Sequence, residues 1–319
     1  MAKTYEGGEQ LAEVVRSRFV EGFHRGSVVV LGPTGETVAA AGDVTAPIFP
    51  RSSNKPMQAV GMLRAGLRLA DPGDLALAAA SHFGQDFHIS RVRALLRSVN
   101  LDESALRCPP DLPLDEAARA AVLTAGGVRD RIYMNCSGKH TAMLLTCLAA
   151  GWPVEGYVDP DHPLQVRLRD AVESFAGEPV TAIGVDGCGA PLMAISLTGL
   201  ARAFQSFVEA PPGSEERRVA DAMRAYPEIV SGTHQDDDRL MRGVPGLLSK
   251  GGAEGVHALA VPGVGAVAVK IDDGAMRARM PVAVSALRRL GVDAPVLDDL
   301  AEFPLFGGGE RVGSVRSVW

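Results

Sequence analysis

SVVVLGPTGETVAAAG, residues 27–42, reads as a strand, a reversal and a returning strand. The β-branched run 27–32 and the small apolar run 38–42 flank PTGET, whose Pro and Gly suit a tight turn, so the segment predicts an antiparallel hairpin. A second hairpin is predicted far down the chain, where GVHALAV and AVAVKIDDG flank PGVG. Between the two, apolar residues recur at helical spacing in KPMQAVGMLRAGL, DLALAAAS, HISRVRALLRSVN, DEAARAAVLTAG and GKHTAMLLTCLAA, the last ending at Gly151. HPLQVRLRDAVESFAG is helical from about residue 162, with Asp161 as its expected cap. TAIGVDGCGAPL is a short strand running into a glycine-rich turn, and ERRVADAMRAYPEIVSG, DDRLMRG and ARMPVAVSALRRLG supply later helices. Strands near both ends with helices between them predict an α+β fold, an antiparallel sheet assembled from the two ends with a helical region packed on it. With no internal repeat and no Pro/Ser/Gly-rich linker, one domain over 1–319 is expected. Its sheet lobe would take residues about 10–50 and 245–319, and its helical lobe about 51–244.

The composition supports a large core, with 319 residues of which 46% are hydrophobic and 22% charged. A net charge of −6 and aromatics at 5% exclude a nucleic-acid surface, which needs clustered Lys/Arg and stacking rings. The N-terminal residues lack an apolar signal region, and the most apolar stretches, such as VHALAVPGVGAVAV, are broken by Pro and Gly. No membrane span is therefore expected, and a soluble cytoplasmic protein is. Four cysteines without a CxxC pair predict no structural disulfide in that compartment.

Four stretches concentrate polar and nucleophilic groups. In RSSNK, 51–55, residues three apart share a face of the helix start, so Ser52 can meet Lys55 whereas Ser53 cannot. A serine beside a lysine is a nucleophile with its own general base if the amine is neutral, which burial and nearby cations favour. A capping serine before a solvated lysine is the plainer reading of the same spacing. AAASHFGQDFH ends an apolar helix with Ser81, whose hydroxyl can cap the helix or relay a proton. His82 and His88 are six apart, fit no common ligand spacing and read as structural. SKGGAEG sets Lys250 and two glycines before a strand, where glycines permit close approach to the strand edge; a turn lysine is the plain alternative.

The fourth stretch is NCSGKH, 135–140. It is no phosphate loop, since Tyr133 stands where the first glycine belongs and His140 follows Lys139. A dinucleotide fingerprint fails too, because Gly187-x-Gly189 is followed by Leu192 where the third glycine is needed. A Cys136–His140 dyad and a metal site both remain open. For the metal, Cys136 and Lys139 share a helix face and Cys188, in the separate loop IGVDGCGAP, can add a second thiolate suited to Zn²⁺. Cys108 and Cys147 read as small hydrophobes.

Taken in order, RSSNKPMQA (51–59), ASHFGQDFH (80–88), NCSGKH (135–140), VDPDHPLQ (158–165), DGCGAP (186–191), LLSKGGAEG (247–255) and VKIDDG (269–274) resemble the Rhizobium-type L-asparaginase family, the asparaginase II type. The likeness runs from roughly residue 10 to the C-terminus. It implies a fold similar to serine β-lactamases and glutaminases, and hydrolysis of L-asparagine to L-aspartate and ammonia. It also implies Ser52 as nucleophile with Lys55 as its base, and Ser81 and Lys250 as a second Ser–Lys pair. Cys136, Lys139 and Cys188 match the family's zinc ligands, with Arg51, Asp186 and His140 as expected substrate contacts and Asp186 beside the metal. A homodimer is expected on the same ground. The chain departs from the family pattern at Gln85, where a Glu is usual. The competing readings are a penicillin-recognising acyl enzyme, a glutaminase, and a non-catalytic zinc- or amino-acid-binding module.

Overall fold

In the computed structural model, which describes residues 3–319, Val28, Val29, Val30 and Leu31 are all buried, so this strand is covered on both faces. It is the end of a 13-residue strand at the middle of an antiparallel sheet. The N-terminal strands are β1 (Glu9–Arg16), β2 (Phe19–Leu31) and β3 (Thr37–Ala41). Two short ribbons follow, built from β4 (Pro47–Ile48), β5 (Ile183–Val185), β6 (Pro191–Met193) and β7 (Ile195–Ser196). The C-terminal strands are β8 (Leu248–Gly251), β9 (Val256–Val261), β10 (Gly265–Ile271), β11 (Glu302–Gly307) and β12 (Glu310–Ser317). The main sheet runs β11-β12-β1-β2-β10-β9-β8, with β3 also paired to β2. Both predicted hairpins are present, Val28–Leu31 against β3 and β9 against β10. The two chain ends meet through Val14↔Val315 and through Val28↔Val269.

The structure adds elements the sequence reading lacked. β1, β11 and β12 are among them: β1 pairs with β12 across the whole chain length, β11 adds the edge beside β12, and half-exposed strands carry little local signal. The helix Leu197–Glu209 is another. Ser196 caps it through the Gly199 N–H at 2.9 Å, and it packs on β2, β9 and β10. The helix expected after Asp161 spans Pro163–Ala176, and its cap is His162, whose Nδ1 accepts from the Leu164 N–H. Lys250 lies inside β8 rather than in a turn.

The predicted helix that begins after the polar cluster spans Ser137–Ala150. It ends at Gly151 in the left-handed conformation, φ +69°, which glycine adopts without a Cβ clash. It packs against the helices Lys55–Arg64 and Pro72–Ala78. All four cysteines are buried free thiols. Among the described residues no helix is long and apolar enough to cross a membrane.

Candidate active site

Ser52 sits in a single 3-10 turn, Arg51–Asn54, that leads directly into the helix Lys55–Arg64. Arg51 holds φ +51°, a left-handed conformation that costs a non-glycine residue about 1–3 kcal/mol, so the tertiary structure must impose it. Two contacts fix this turn against β8. Ser53 Oγ donates to the Lys250 carbonyl at 2.8 Å. A Cβ on Gly252 would lie 2.7 Å from the Pro50 carbonyl and 3.1 Å from Ser53 Oγ, so only glycine fits where β8 leaves the sheet. Ser52, Ser81, Asn135 and Lys250 thereby line one cavity of about 430 Å³, walled also by Gly251, Gly252 and Arg279.

The spacing of Ser52 and Lys55 lets the two meet at the helix start, and the structure gives the lysine other hydrogen-bond partners. The 3-10 turn offsets Ser52 from the regular helix, and the end of the helix Pro72–Ala78 brings Ala80 and Ser81 to the lysine instead. Lys55 Nζ donates to the Ala80 carbonyl, to Ser81 Oγ at 2.8 Å and to Cys136 Sγ at 3.2 Å. Each of its three N–H bonds thus has an acceptor. Among the described residues no hydrogen bond joins Ser52 to Lys55, and Ser52 lines the cavity. Ser81 Oγ, accepting from Lys55, keeps its own proton available to the cavity.

Lys250 is fully buried, and burial pushes its ammonium down to about 8, against the pull of Asp237 and with the help of Lys55 and Arg279. It donates to the Gly251 carbonyl at 2.8 Å and stands 3.8 Å from Asp237 Oδ2. Asp237 was not singled out from sequence, because it lies in an Asp236–Asp237–Asp238 run that reads as the solvated first turn of a helix. It is nonetheless buried. It accepts from Ser249 Oγ at 2.6 Å and from the Gly251 N–H at 3.0 Å, with His257 Nε2 at 3.1 Å.

The thiols form a second cluster. Ligand atoms of Cys136, Asp186 and Cys188 lie within 4.8 Å of one another, and Lys139 Nζ donates to Cys188 Sγ at 3.2 Å. Cys136 starts the helix Ser137–Ala150, and Cys188 sits in the turn between β5 and β6, so two distant loops close the cluster. A hydrogen bond from Cys136, then Lys139 and His140, holds the Cys188 thiol well below the usual range. The same bond, with burial, holds Cys136 above it. Burial opposes the Lys139 charge, but the two sulfurs and Asp186 outweigh it. Two sulfurs and a carboxylate oxygen this close to one another form a donor set that could hold a metal ion, with the Lys139 amine at its edge.

Of the expected substrate contacts, Arg51 and Asp186 bond to each other, Nε to Oδ1 at 2.9 Å, and Asp186 also reaches Cys188 at 3.5 Å, so this pair joins the two clusters. His140 lies on the thiol side and is fully buried. Tyr157 Oη accepts from the Arg107 N–H at 2.9 Å and is hydrogen-bonded to His140 Nδ1 at 2.7 Å. His82 and His88 are structural as expected. His82 Nδ1 accepts from the Gly84 N–H and Nε2 donates to Ser137 Oγ, while burial pushes His88 down to about 4. A larger cavity of about 660 Å³, walled by Arg51 among others, shares Glu254 with the first but contains none of Ser52, Ser81 or Lys250.

A family model described as L-asparaginase II matches residues 12–317. Among solved structures the chain is similar to a β-lactamase from Mycobacterium bovis, with TM-score 0.44 and 17% identity over 84% of this chain and 95% of that one. It is similar to Mglu in its native form, TM-score 0.45 and 17% identity over 84% of this chain, and it spans 63% of the Mglu chain. A simvastatin synthase from Aspergillus terreus follows at TM-score 0.39 and 13% identity, covering 83% of this chain and 88% of that one. No curated protein matches the sequence.

Proposed function

We propose that this chain, which belongs to the L-asparaginase II family, hydrolyses the side-chain amide of L-asparagine to L-aspartate and ammonia through an ester on Ser52. Family membership supports an amidohydrolase. The observation that carries the finer reading is the convergence of Ser52, Ser81 and Lys250 on one cavity, with Lys55 bonded behind Ser81. Lys250 is the lysine that burial makes ready to be neutral near physiological pH, so it takes the proton as Ser52 Oγ attacks the amide carbon. Backbone N–H groups near the helix start stabilise the oxyanion. As the C–N bond breaks, Ser81 gives its proton to the leaving nitrogen and is resupplied by Lys55, releasing ammonia and leaving a β-aspartyl ester. Water then attacks the ester. Its proton returns to Lys55 through Ser81, and Ser52 regains its own from Lys250.

The Arg51–Asp186 pair, at the seam of the two clusters, offers a cation and an anion to the α-carboxylate and α-ammonium of an amino-acid substrate. Cys136, Cys188 and Lys139, with Asp186 beside them, would hold zinc, whose charge at this electron-rich site would orient the substrate and stabilise the pocket rather than activate water. The family likeness supports a homodimer. Ammonia release from asparagine and from glutamine, measured side by side with and without added zinc, tests the reading: the account expects asparagine to be turned over, and no release from it would overturn the assignment.

A further inference from the structure

Three consecutive aspartates open the helix Asp236–Gly243, and each has a different partner. Asp236 pairs with Arg279 at 3.0 Å and Asp238 with Arg242 at 2.6 Å. Asp237, buried between them, meets no guanidinium. Its oxygens are filled by uncharged donors, Ser249 Oγ and the Gly251 N–H, and by the His257 ring. Burial keeps His257 below its ordinary value, so the ring is neutral with its proton on Nε2, the nitrogen that faces both Asp237 and Ser249 Oγ at 2.8 Å. Among the described residues the one lysine or arginine paired with Asp237 is Lys250, at 3.8 Å, near enough to feel the charge and too far for a direct hydrogen bond.

Cys136 and the Gly251 carbonyl also favour the charge of the lysine, while two cations work against it. Lys55 from the helix Lys55–Arg64 and Arg279 from the helix Met276–Arg289 both oppose it, as does burial. A buried cation left without an anion costs several kcal/mol and sheds its proton.

We propose that Asp237 is a positioning residue for Lys250: it pins the Ser249–Gly251 backbone to the helix behind it and supplies the buried anion that balances this lysine at the reaction centre. Because its lone pairs are occupied by neutral donors, the carboxylate stays ionised and leaves the Lys250 amine free to exchange a proton within the cavity. The part Lys250 plays in hydrolysis rests on the function proposed above; the balance between the two side chains does not.

The sequence has five lysines, so ¹³Cε-lysine NMR follows each one, with Lys250 assigned by its loss in Lys250→Met. Asp237→Asn keeps the shape and removes the charge. The Lys250 midpoint should fall by at least one pH unit from about 8, and the alkaline-rising limb of kcat/KM should move with it. A folded Asp237→Asn protein with an unchanged Lys250 midpoint would overturn the proposal. Should that variant fail to fold, the Asp237→Asn/Lys250→Met double variant decides. It should melt higher than either single variant if the two charges balance each other. If it melts no higher, Asp237 is only a backbone anchor. The NMR midpoint and the melting temperature need no substrate, so a failure of the asparaginase reading leaves them standing.

Discussion

Lys139 and Lys250 are both fully buried in neighbouring parts of one site, yet their surroundings push them in opposite directions. Around Lys139, two sulfurs and Asp186 outweigh the cost of burial and hold the ammonium in place. Around Lys250, a single carboxylate at 3.8 Å does not outweigh burial together with Lys55 and Arg279. The same side chain therefore serves two purposes. Next to the thiols it is a compensating charge that a metal would have to deprotonate before using it as a ligand. Next to Ser52 it is an amine that can exchange a proton near neutral pH. The comparison divides the site into a sulfur side that holds and a hydroxyl side that reacts.

The largest test of that division is Ser52→Ala. Ammonia release should fall by roughly three orders of magnitude while bound zinc, measured by elemental analysis, stays unchanged. Near wild-type release would move the chemistry elsewhere. Ser81→Ala comes next, with an expected loss of about 100-fold in kcat, since it removes a proton relay but not the nucleophile. Cys188→Ser breaks the other side: the protein should lose its zinc, and unchanged metal content would rule Cys188 out as a ligand.

The pH dependence sharpens the comparison further. Lys250 must be neutral to accept a proton and is protonated below its midpoint. Initial rates should therefore rise as pH increases through about 8, and a rate flat from pH 6 to 9 would contradict its role. The smallest effect is expected from Gln85→Glu, which restores the usual family residue. Gln85 Oε1 accepts from the Thr233 N–H at 3.0 Å, a bond a carboxylate makes equally well, so kcat/KM should change by no more than about threefold.

The residues that carry these predictions were legible in the sequence to different depths. The hairpins and the helix ending at Gly151 follow from local periodicity and turn chemistry, and the structure has them where the sequence places them. The pairing of β1 with β12 joins residues about 300 positions apart, which no local pattern encodes. At the site, the family resemblance named Ser52, Ser81, Lys250 and the two cysteines, and all lie at the two clusters. Spacing could not show the hydrogen-bond partners of Lys55, because a 3-10 turn precedes its helix and Ser81 arrives from another element. Asp237 was hidden by its neighbours: three adjacent aspartates look solvated, and only the packing of their helix, against β8 among others, buries Asp237 and Asp238.

The central claim is that the reacting group is the Ser52 hydroxyl. Trapping the enzyme during asparagine turnover by acid quench, followed by peptide mapping with mass spectrometry, tests this most directly. The account predicts an added aspartyl mass on the peptide carrying Ser52 and on no other. An adduct on Ser81, Cys136 or Cys188 instead would contradict it.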